Sequence, residues 1–171
     1  DIILSTDDHM IKSVASDYGL ETSYLRPSSL ANDEAGKVET IEHVLEFMEI
    51  TNKIKYDYII DGSDNFETKF LVNDFCKISE KFLVSGAISK FDGHIFTFDF
   101  KNKNTPCIRS FFQEDKISDD ILNCEYEGIL GTVAGIIGTI QANEVLKKIL
   151  NIGQNLNGYI LILDLLNLNF R

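Results

Sequence analysis

Two carboxylates and a glycine close the apolar run of YDYIIDGSDNFETKF, residues 56–70. Asp61 ends the run, and Asp64 follows three residues later. Two chemistries suit that pattern. In one, Asp64 caps the following helix, its carboxylate accepting from backbone N–H groups while Glu67 completes a capping box and Gly62 frees the turn. In the other, a carboxylate at the carboxyl end of a strand takes a Mg²⁺ ion that already holds nucleotide phosphates. Spacing alone favours the cap.

The remaining reactive side chains are dispersed. Cys76, Cys107 and Cys124 form no CxxC pair, and an odd cysteine count without a signal peptide points to a reducing cytoplasm. His9, His43 and His94 are too scattered to read as a ligand set. With 27 Asp and Glu against 16 Lys and Arg, the formal charge is −11. A basic face for nucleic acid or for an anionic membrane surface is therefore not expected. A nucleotide remains compatible, because local amides and a metal ion outweigh a global field. GILGTVAGIIGTI, the longest apolar run, is too short and too glycine-rich to span a bilayer. A chain that begins with Asp1 rather than Met reads as a fragment or a processed product.

The elements that must position these groups alternate along 171 residues, a length able to bury a real core. IILST (2–6) and TSYLRP (22–27) read as short strands, with a helix over DDHMIKSVASDYG between them. Acids open that helix and Gly19 sits where a C-terminal cap belongs. Ile41, Val44, Leu45 and Met48 fall at i, i+3, i+4, i+7 and predict a second helix. YDYII (56–60) is a third strand, NFETKFLVNDFCKISEK a helix, and FLVSGAIS and HIFTFDF are strands joined by the turn KFDG. Residues 101–125 read as irregular, GILGTVAGIIGTIQANEVLKKIL as a long helix, and GYILILDLL as a final strand. The rhythm predicts an α/β, Rossmann-like three-layer fold with a mostly parallel sheet, whose ligands bind beyond the carboxyl ends of strands. Glycines 128, 131, 135 and 138 line one helix face and predict close backbone packing rather than a phosphate loop, since no Lys-Ser or Lys-Thr follows.

Four stretches taken in order, YDYIIDGSDNFETKFLVND, FLVSGAISKFDGHIFTFDF, PCIRSFF and NCEYEGILGTVAGIIGTIQANEVLKKIL, resemble the second half of the ThiF/MoeB/HesA family. The likeness covers residues 56–171 and ends in GYILILDLLNLNFR. It rests on D-x-x-D-N after a strand, the VSGA strand, and a helix patterned G-x-x-G-x-x-x-G-x-x-G-x-x-Q-A-x-E. Such a resemblance implies an adenylyltransferase related to ubiquitin-activating enzymes. It would use ATP and Mg²⁺ to activate the C-terminal carboxylate of a small ubiquitin-like sulfur-carrier protein for thiamin or molybdopterin synthesis, as a homodimer. It makes Asp64 the metal-binding aspartate and Asn65 its companion at the nucleotide. It places Cys124, in NCEYEG, at a sulfur-handling position; the alternative is an inert buried thiol. Cys107 in PCIRS stands where many members have PCxxC, but Ser110 replaces the second cysteine, so no zinc is expected.

Residues 1–55 carry a different likeness. STDD after a strand, LRP, and LANDEA before a helix resemble the middle of an acylneuraminate (CMP-sialic acid type) cytidylyltransferase. Joined at YDYI, the two likenesses imply an incomplete or hybrid chain of two segments, 1–55 and 56–171. Eleven Asp and Glu against three Lys and Arg in residues 1–50 fit that shift in composition. No G-x-G-x-x-G occurs, and the only bases of that segment are Lys12, Arg26 and Lys37. An adenylation site impaired by the missing amide cradle is thus expected. The alternatives are a CTP-dependent sugar-acid cytidylyltransferase fragment and a non-catalytic dimerisation or carrier-binding module. Asp7 and Asp8 are expected to serve a helix N-terminus rather than catalysis.

Overall fold

The computed structural model describes residues 3–32, 37–53, 55–112 and 128–171. The chain divides into two compact units, Asp1–Tyr56 and Asp57–Arg171. The first holds helix α1 (His9–Asp17), a 3₁₀ turn (Ser28–Leu30) and helix α2 (Lys37–Asn52). Asp8 caps α1, its Oδ1 accepting from the amides of Met10 and Ile11 at 2.6 and 3.3 Å. Gly19, at φ +87°, takes the left-handed conformation that ends the helix. Its core centres on Tyr24, which is 1% exposed, hydrogen-bonds His43 Nδ1 at 3.1 Å and meets the Phe47 ring edge-on. The strands expected at 2–6 and 22–27 are absent among the described residues. Among the described residues one backbone bond, Arg26 N–H to the Thr6 carbonyl at 2.8 Å, ties these two stretches, and one bond is not a ladder.

The second unit is built on one five-stranded sheet in sequential order: β1 (Tyr58–Asp61), β2 (Phe82–Ser89), β3 (Asp92–Asp99), β4 (Ile160–Asp164) and β5 (Asn169–Phe170). Helix α3 (Phe66–Ile78) links β1 to β2, and α4 (Ile108–Phe111) and α5 (Gly131–Leu150) follow β3. The α/β class holds, but the sheet is mixed rather than mostly parallel. Among the strands of the described residues, β1 and β2 pair parallel, while β2–β3, β3–β4 and β4–β5 are antiparallel. The reason is local. Two residues, Lys90 and Phe91, separate β2 from β3, and only an antiparallel hairpin closes over so short a turn.

Both faces of the sheet are covered, because β2 and β3 alternate their apolar side chains. Leu83, Phe96 and Phe98 pack with Phe70, Cys76 and Ile108 from α3 and α4. Phe82, Val84 and Ile95 pack with Val133, Ile137 and Val145 from α5. The result is three layers, as the pattern predicts. The close packing expected of the α5 glycines is not found among the described residues: a Cβ at Gly131, Gly135 or Gly138 would meet nothing within 4 Å. The tight approaches come instead from sheet glycines: a Cβ at Gly86 of β2 would stand 2.7 Å from the Gln141 side chain, and one at Gly93 of β3 would run into Ile137. No helix among the described residues is long and apolar enough to cross a membrane.

Candidate functional site

Strand β1 ends at Asp61, in register with Ser85 of β2. Its side chain is about 4% exposed and fully engaged. Oδ2 accepts from Lys69 Nζ at 3.0 Å and from Ser85 Oγ at 2.6 Å. Oδ1 accepts from the Ser63 amide at 2.9 Å and the Ser63 hydroxyl at 2.6 Å, which closes an Asx turn. Gln141 of α5 donates from Nε2 to the Asp61 carbonyl at 2.8 Å. Burial alone would push this carboxyl up, but the Lys69 ammonium and the Ser63 and Ser85 donors together hold it below its ordinary value of 3.8. Asp61 is therefore an ionised anchor and not a spare ligand.

The helix cap falls on Asn65. Its Oδ1 accepts from the Thr68 amide at 2.8 Å. The capping role weighed for Asp64 thus belongs to its neighbour, and Asn65→Ala should cost about 1 kcal/mol of stability in urea unfolding. Asp64 itself is exposed, with Oδ1 accepting from Asn65 Nδ2 at 3.1 Å. Its carboxylate stands on the rim of a cleft of about 380 Å³. Ser63, Asp64, Asn65, Lys69 and Gln141 give this cleft a polar end; Phe66, Ile88, Phe112, Ile129 and Ile137 give it apolar walls. A concave site with apolar walls and a few converging polar groups is the usual form of a small-molecule pocket.

His94 also lines this cleft, half-buried and stacked on Phe96. Burial lowers its pKa, with Asp92 opposing, so the ring enters the cleft as neutral imidazole at pH 7. No spacing marked it, because its role comes from β3 lying beside β2. Lys69 and Gln141 were equally unmarked, yet each left a signal. Lys69 shares the i, i+3, i+4, i+7 face of α3 with Val72, Asn73 and Cys76, and Gln141 follows Val133 and Ile137 at intervals of four on α5. A polar side chain at a core position implies a buried partner.

Cys124 lies outside the described residues, and its expected sulfur chemistry stays an expectation. Cys107 is buried before α4, its Sγ 3.9 Å from both Lys77 Nζ and Ser110 Oγ. Among the described residues no three His, Cys, Asp or Glu side chains converge as a metal cage. Mg²⁺ brought in by a nucleotide needs one or two protein carboxylates and takes its other ligands from phosphates and water. Asp64, exposed on the cleft rim with Asn65 beside it, would hold such an ion.

Comparison with known proteins decides the family. The ThiF family model matches residues 27–171. The chain belongs to the ThiF family. The match begins well before residue 56, so LANDEA and α2, which carried part of the cytidylyltransferase likeness, fall inside the ThiF region. Among curated ThiF relatives, the sulfur carrier protein adenylyltransferase of Thermus thermophilus is 36% identical over 135 residues, covering 77% of this chain. The adenylyltransferase and sulfurtransferase MOCS3 of Dictyostelium discoideum is 37% identical over 137 residues, covering 79% of this chain. The chain spans 48% and 32% of the lengths of these two relatives. Among solved structures, E. coli MccB with ATP aligns at a TM-score of 0.56 and 14% identity, covering 99% of this chain and 54% of that one. That likeness shows the shared fold.

Proposed function

We propose that this chain forms the acidic wall of an ATP-dependent adenylyltransferase site that activates the C-terminal carboxylate of a small ubiquitin-like sulfur-carrier protein. One observation carries the reading: in a ThiF-family chain, the second aspartate of D-x-x-D-N is presented on the rim of an open cleft by a turn anchored in the core. Support comes from a relative named sulfur carrier protein adenylyltransferase, from another named SAMP-activating enzyme E1, and from the fold shared with a structure of MccB with ATP.

In this reading the carrier's carboxylate oxygen attacks the α-phosphorus of ATP. The α–β phosphoanhydride bond breaks, pyrophosphate leaves, and an acyl-adenylate forms. A free carboxylate is a poor electrophile, and the AMP leaving group makes later attack by sulfur feasible. Mg²⁺, when bound, supplies neutralising charge to the phosphates. The chain's own residues divide the remaining work. Asp64 and Asn65 present oxygen and amide groups at the cleft rim. The apolar walls exclude water from the reacting end. Gln141 and Lys69 hold the end of β1 and the middle of β2 at the floor. Cys124 would act after adenylation, in sulfur transfer.

A second reading has its own observation. The 171 residues contain no G-x-G-x-x-G, so a carrier-binding module without turnover is the alternative. Pyrophosphate exchange into ATP separates the two when it is measured with a sulfur-carrier protein whose C-terminus is free or amidated. Exchange that needs the free carboxylate supports adenylation. Carrier binding by calorimetry without exchange supports the module. Neither binding nor exchange overturns both.

A further inference from the structure

Beneath the Asp64 turn lies an ion pair whose geometry exceeds what core packing needs. Lys69 is 5% exposed, and its Nζ donates to Asp61 Oδ2 at 3.0 Å and to the Gly86 carbonyl at 2.5 Å. One acceptor ends β1 and the other lies in β2, so a single ammonium joins both strands at the cleft floor. Asp61 then holds Ser63 through both amide and hydroxyl. The next residue is Asp64. On its far side Asn65 is fixed to α3 by its cap bond to Thr68. The turn is therefore clamped at both ends, and Lys69 supplies the charge that makes the first clamp ionic.

A buried ion pair is seldom better for stability than hydrophobes of the same volume. What this pair adds over a hydrophobic filling is direction: an ionised Asp61 accepts four hydrogen bonds in a set geometry. We propose that Lys69 is a positioning residue, fixing the Asp61–Asn65 turn so that the Asp64 carboxylate is presented to the cleft. It acts through Asp61, to which its ammonium donates at 3.0 Å. The inference rests on the adenylyltransferase reading and deepens it.

The test uses the whole chain and four proteins: wild type, Lys69→Met, Lys69→Arg and Val72→Ala. Val72 lies on the same buried face of α3 and serves as the control for lost stability alone. Affinity for Mn²⁺·ATP is read from water-proton relaxation, and order in the turn from hydrogen exchange of the Ser63 amide. Lys69→Met is expected to weaken Mn²⁺·ATP at least tenfold and to speed Ser63 exchange at least tenfold. Lys69→Arg should restore both, and Val72→Ala should move neither. If Lys69→Met does not fold, Lys69→Gln, neutral but still a donor, takes its place with the same expectations. Unchanged affinity or unchanged Ser63 protection in the neutral variant overturns the proposal, as does an equal loss in Val72→Ala. Wild type without Mn²⁺·ATP affinity would refute the adenylyltransferase reading instead. The Ser63 exchange then decides alone: protection lost with Met and regained with Arg supports the clamp, and protection kept in both overturns it.

Discussion

Asp61→Ala is expected to cost about 3–5 kcal/mol of unfolding free energy at neutral pH, read by urea denaturation. The size follows from what is stranded. Lys69, 5% exposed, loses its counter-ion, while Ser63 and Ser85 lose the acceptor of their hydroxyls. Each buried donor left without a partner adds a desolvation penalty. Asp61→Asn, which keeps shape and one acceptor oxygen, should lose less. The pH dependence has a definite sign. The Asp61 carboxyl is held below 3.8 in the fold, so its contribution is complete above that value and declines as pH falls through the lower folded value. The gap between wild type and Asp61→Ala should therefore be widest near neutrality and narrow in acid below 3.8. A constant gap down to strongly acid pH would show that the carboxylate's charge is not what stabilises the turn.

Legibility from sequence followed the range of the interactions. The β1–α3–β2 unit read well because its signals are local: an apolar strand, a cap at its end, and an amphipathic face on α3. The boundaries of β2 matched FLVSGAIS for the same reason. Alternating strands and helices predict parallel strands, whereas the short KFDG turn demands the antiparallel hairpin that β2 and β3 form. The cap falls on Asn65 because Asp64 and Asn65 are both good N-caps and only backbone geometry chooses between them. The α5 glycines misled because small residues permit close packing without supplying the surface that packs. The anchor of the site stayed hidden for a different reason. Lys69 pairs with a residue eight positions away, and Gln141 with one eighty positions away. The sheet brings them together, and only their polar character on apolar helix faces hinted at it.

That anchoring sets up the largest functional effect. Asp64→Asn should lower carrier-dependent pyrophosphate exchange by roughly 10²–10³, the scale for losing one preorganised charge at a reacting centre. The melting temperature should hardly move. Asp64 is exposed, the helix cap belongs to Asn65, and asparagine keeps an Oδ1 able to accept the Asn65 side-chain amide. An exposed substitution of that kind stays within about 0.5 kcal/mol. Asn65→Ala should show the larger loss of stability, because it removes the helix cap. The pair thus separates two roles that adjacent residues share in sequence. If Asp64→Asn keeps its exchange activity, or unfolds as readily as Asn65→Ala, the carboxylate serves the turn and not a nucleotide-bound metal.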